Sequence, residues 1–82
     1  MDRKYQIGAH VLIQDTYAKL HSYCITSAYP EEHLHSINNG LVSEFVMVYQ
    51  LHKMSRTGKI EERGISLVES FLDKNIVPVL QF

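Results

Sequence analysis

The stretch Leu34-His35-Ser36-Ile37-Asn38-Asn39-Gly40-Leu41-Val42-Ser43-Glu44-Phe45-Val46-Met47-Val48 decides the fold, and it pulls in two directions. Asn38-Asn39-Gly40 has the composition of a stop, yet Leu34, Ile37, Leu41, Phe45 and Val48 keep one helical phase straight across it. A helix absorbs one internal glycine at a cost of about 1 kcal/mol relative to alanine. The spacing therefore predicts a single middle helix from Pro30 to about Ser55, with a kink near Gly40. Its start is well marked: proline suits the first helical position, and Glu31 and Glu32 complement the positive end of the helix dipole.

Working outward, Ala9, Ile13, Tyr17, Leu20 and Cys24 recur at spacings of four, four, three and four, which predicts a first helix over about 9–24. Over residues 4–13 a strand competes with it, because Tyr5, Ile7, Ala9, Val11 and Ile13 alternate with other residues. On the other side, Thr57-Gly58 opens a third helix over 58–74. Ile60, Gly64, Ile65, Leu67, Val68, Phe71 and Leu72 fill one arc of it, and Lys74-Asn75 marks its end. The tail 75–82 is extended and apolar, and Pro78 keeps it out of a central strand. The expected architecture is an all-α, three-helix single domain spanning residues 1–82, completed by oligomerisation.

Size supports the last point, since 82 residues bury a limited fraction of their surface. Cys24 is the only cysteine, so no disulfide within the chain can compensate, and a lone thiol suits a reducing compartment. A net charge of -1 supplies no overall field for nucleic acid or an anionic membrane. The N-terminal residues lack the apolar run of a signal peptide and no segment is long enough to span a bilayer, so the expected location is cytoplasmic.

On the middle helix, Met47, Leu51 and Met54 form a second apolar stripe opposite the first, and with Val79, Leu80 and Phe82 of the tail they are the expected interface, most simply of a homodimer. The histidines at 10, 21, 33, 35 and 52 lack metal-ligand spacing on a helix, and no nucleophile elbow is present, so neither a cofactor nor a metal nor catalysis is expected. Lys53, Arg56, Thr57, Lys59 and Arg63 gather cations around the turn between helices two and three. Beside free helix N-terminal amides they are a candidate site for an anionic small molecule such as a nucleotide, although the P-loop pattern is lacking. Glu62, Glu69 and Asp73 on the outward face of the third helix count against a helix-turn-helix-like DNA binder. The functional expectation is a non-enzymatic, homo-oligomeric interaction protein, a small regulator or inhibitor of another protein. Binding of a phosphorylated small molecule at the basic turn is the alternative.

Overall fold

The structure, a computed structural model, describes residues 3–77. It overturns the all-α expectation. One five-stranded antiparallel sheet carries β1 (His10–Gln14), β2 (Leu20–Ile37), β3 (Gly40–Met54), β4 (Ile60–Val68) and β5 (Ile76–Val77) in the order β4-β3-β2-β1-β5, with one short helix, α1 (Glu69–Asn75). Of the tail, Ile76 and Val77 pair with β1, and Val79, Leu80 and Phe82 lie outside the described residues.

The middle helix is replaced by the hairpin of β2 and β3. Asn38 and Asn39 both take left-handed backbone angles, φ +48° and +64°, and Ile37 pairs with Gly40 across them. This is a two-residue type I′ connection, whose twist matches that of the flanking strands and whose left-handed positions asparagine tolerates. The helical spacing misled because the intervals between Leu41, Phe45 and Val48 fit a helix as well. Met47, Tyr49 and Leu51 follow one another at the strand period of two, among β-branched and aromatic neighbours that favour a pleated surface. Pro30 falls where β2 has β3 on one side only, the edge position in which a missing N–H is tolerated.

The first expected helix is also a hairpin, so the strand alternative over residues 4–13 holds for 10–13 and not for 4–9. Its turn, Asp15 to Lys19, repeats the geometry of Ser55 to Lys59 between β3 and β4. In each, the first residue's N–H bonds to the lysine carbonyl at 2.9 Å, and the fourth residue is left-handed: Ala18 at φ +62° and Gly58 at φ +83°. Of the third helix only its last part forms. Residues 60–68 are strand, and α1 ends at Asn75, whose side-chain amide donates to the Phe71 carbonyl at 2.8 Å.

A bulge sets the phase of β2. Thr26 and Ser27 together oppose Gln50, and the Thr26 hydroxyl donates to the Gln50 carbonyl at 3.2 Å. In a regular strand Ile25 and Ala28, three apart, would point to opposite faces. With it, Ile25 meets Leu51 and Ala28 meets Tyr49 on the core face. Val11, Ile13, Ile25, Met47, Tyr49, Leu51 and Leu72 form the core there, and α1 and the segment before β1 cover it.

The two matched turns give a direct test. Ala18 holds a conformation that costs an L-residue about 1–2 kcal/mol and glycine almost nothing. Ala18→Gly should raise stability by about 0.5–1 kcal/mol after the entropy of a freer unfolded chain is subtracted, read as a higher urea midpoint at unchanged slope.

Candidate interaction surface

Beyond Ala28 on β2 and Val48 on β3 the hairpin leaves the body of the sheet, since β1 pairs only as far as Cys24 and β4 only as far as Val48. The result is a two-stranded arm on a molecule 51 Å long and 27 × 25 Å across. Residues opposite one another in the ladder share a face. The face that carries Tyr49 and Met47 in the core therefore continues outward as Phe45 opposite Glu32, Ser43 opposite Leu34, and Leu41 opposite Ser36. No described element covers this extension: Leu34 is 63%, Leu41 75% and Phe45 56% exposed.

The arm's other face carries Glu31, His33, His35 and Glu44 with Tyr29, Val42 and Val46. His33 contacts Glu31 at 3.2 Å and His35 contacts Glu44 at 3.4 Å, both near the surface. Between Lys19 and Lys53 the chain has no lysine or arginine, so Glu31, Glu32 and Glu44 set the sign of the arm. Where the arm meets the body, Glu44, Glu69 and Asp73 line a cleft of about 430 Å³ together with His33 and His35.

Under that junction lies a polar network with Tyr49 at its centre. Its hydroxyl accepts the backbone N–H groups of Lys4 at 3.0 Å and Tyr5 at 3.2 Å and donates to Glu69 at 2.6 Å. The Tyr5 ring stands edge-on to Tyr49 with centroids 5.4 Å apart, and its hydroxyl donates to Asp73, which also pairs with Lys4 at 2.9 Å. Burial, and then the hydrogen bond to Asp73, push the Tyr5 phenol up to about 12. Hydrogen bonds from Tyr5 and then Lys4 hold Asp73 below the usual carboxylate range, and the same contact raises Lys4. Burial and the bond to Glu69 raise Tyr49. Each group has a partner within the chain, so the network ties the N-terminal segment to α1.

The expected interface and basic-turn residues fare differently: Met47 and Leu51 go inside, whereas the basic residues stay around the turn between β3 and β4. Met47 and Leu51, four apart, share a face in a strand as in a helix, and both sit in the chain's own core at 4% and 0% exposure. Met54, three further on, turns to the opposite face. At the basic turn Lys53 is on β3, Arg56 and Thr57 are in the loop, and Lys59 precedes Arg63 on β4. No helix begins there, so the amides that would have reinforced an anion site are absent from it. Its cleft joins Lys59 and Arg63 with the carboxylates of Glu61 and Glu62. Cys24 is a buried free thiol opposite His52. Among the described residues no group of three or more His, Cys, Asp or Glu side chains is placed to hold a metal ion, and no helix is long and apolar enough to cross a membrane.

Leu34, Leu41 and Phe45 escaped the sequence reading because a helical phase made them core. Asn38-Asn39-Gly40 was the signal that could have found the arm. The architecture defines an antiparallel β-sheet domain with one short helix and a projecting β-ribbon. No family model matches the chain, and neither does any curated protein or solved structure.

Two predictions follow from the network. Tyr49→Phe leaves two amides and Glu69 without their partner and should cost about 1–3 kcal/mol in urea unfolding. Stability should also fall at both pH extremes. The folded pKa of Asp73 lies below its ordinary 3.8, so its contribution is present above about pH 4 and is lost as pH falls through the folded value. The folded pKa of Tyr5 lies above its ordinary 10.0, so its contribution is present below that pH and is lost as pH rises towards about 12. Thermal midpoints measured across pH should show both limbs, with Tyr5→Phe weakening the alkaline one.

Proposed function

We propose that this chain is a non-enzymatic interaction protein that assembles with itself and acts by binding, with the β2–β3 arm as its contact element. The observation that carries this reading is the exposure of Leu34, Leu41 and Phe45 on a ribbon that, among the described residues, has no third strand and no covering helix. An isolated two-stranded ribbon is marginal in water, and a contiguous apolar face of this kind is stabilised when another surface covers it. The polar groups beside it support binding over chemistry, because the hydroxyls and carboxylates under the arm are already occupied by one another. The anion-binding alternative now rests on Lys59 and Arg63 beside two carboxylates.

Sedimentation velocity across a micromolar concentration series tests the proposal. The chain should sediment as an oligomer. Leu34→Ser combined with Phe45→Ser should shift it to monomer while its β-sheet circular dichroism is retained, because neither side chain belongs to the buried core. A monomer at every concentration, or an oligomer indifferent to the double substitution, would count against the arm as the contact element.

A further inference from the structure

The two ends of the molecule carry opposite charge. The turns Asp15–Lys19 and Ser55–Lys59 lie side by side at the end away from the arm, because β2 starts and β3 ends there. Lys19, Lys53, Arg56, Lys59 and Arg63 belong to that end, five of the chain's eight basic residues, against the carboxylates of Asp15, Glu61 and Glu62. At the other end the arm has Glu31, Glu32 and Glu44 and no lysine or arginine, and the cleft at its base adds Glu69, while Asp73 there is paired with Lys4.

From this polarity we infer that the arm's occupant is a second copy of the chain, lying antiparallel about a two-fold axis, with each acidic arm against the partner's basic turns. The inference rests on the self-association proposed above and adds its geometry. A two-fold arrangement repeats every contact, so one antiparallel alignment satisfies both charged ends of both copies at once. A side-by-side alignment with arms together would set Glu31, Glu32 and Glu44 against their own copies, a like-charge contact that disfavours it. The apolar face of the arm supplies the area for association, and the charged ends set the orientation. Such an interface closes on itself, which limits the assembly to two chains instead of an open filament.

Three full-length chains test the orientation by sedimentation equilibrium. In the arm-reversed chain Glu31, Glu32 and Glu44 are each replaced by Lys. In the turn-reversed chain Lys19, Arg56 and Lys59 are each replaced by Glu. All six side chains are on exposed residues. Either reversal alone sets like charges at both junctions and should weaken dimerisation about tenfold or more. The third chain, carrying both sets, restores opposite charges at both junctions and should dimerise to within about threefold of the unmodified chain. Dimerisation of the unmodified chain should also weaken between roughly 0.1 and 1 M salt, where screening shortens to a few ångströms.

Single reversals without effect, or a combined chain no better than either, would overturn the antiparallel arrangement while leaving self-association through the arm standing. An unmodified chain that stays monomeric would remove both. If a reversed chain loses its β-sheet circular dichroism, the milder Glu31→Gln, Glu32→Gln and Glu44→Gln set replaces it. That set should weaken the dimer and its salt dependence together, and an unchanged salt dependence would overturn the inference.

Discussion

Everything in this fold hangs on the register between β2 and β3. Side chains in a strand alternate between faces, so a slip of one residue would carry Met47, Tyr49 and Leu51 out of the core and put Val46, Val48 and Gln50 in their place. The loop Asn38-Asn39 excludes that slip, because two left-handed residues close the hairpin at one length only. The bulge at Thr26 then adjusts the phase once more, so that Ile25 in the half of β2 near β1 and Ala28 and Leu34 in the half running into the arm share one side.

Register alone leaves one face of the sheet open, and the Tyr49 hydroxyl organises what closes it. Seven residues make too short a helix to persist by itself. α1 is held by Leu72, fully buried in the core, and by Glu69 and Asp73, which join Tyr49, Tyr5 and Lys4. The same contacts fix the segment before β1, which has no strand pairing of its own up to Gly8. There the Gly8 N–H reaches the Ile25 carbonyl at 2.7 Å. Sheet, helix and N-terminal segment therefore meet at one buried phenol, whose ring fills the core and whose polar tip has three partners.

The arm is the remainder of this economy. The described covering elements are short, so among the described residues they shield the proximal half of the longest hairpin and leave its distal half as a ribbon exposed on both faces. Two consequences coincide there: apolar residues that continue the core face, and a stretch of chain without lysine or arginine. Because antiparallel strands place chain-distant turns together, the lysines and arginines flanking that stretch collect at the opposite end. Shape and charge are thus polarised along the same axis.

Much of this was present in the sequence as local signals. Asn38-Asn39-Gly40 and Thr57-Gly58 marked turns that do occur, Lys74-Asn75 marked the end of the one helix, and the alternation around Val11 and Ile13 marked β1. The exclusion of a disulfide framework also follows from Cys24 alone. What the sequence left open was the period, since an interval of four is even and nearly one helical turn, and so serves strand and helix alike. Only the tertiary structure decided it, by supplying partners: the hydrogen bonds of Gly40–Met54 go to Leu20–Ile37 on one side and Ile60–Val68 on the other. The Tyr49 network was likewise illegible, because Lys4, Tyr5, Tyr49, Glu69 and Asp73 are scattered along nearly the whole described chain and no local pattern relates them. A helix is specified by neighbours in sequence, whereas a sheet and a buried polar network are specified by neighbours in space.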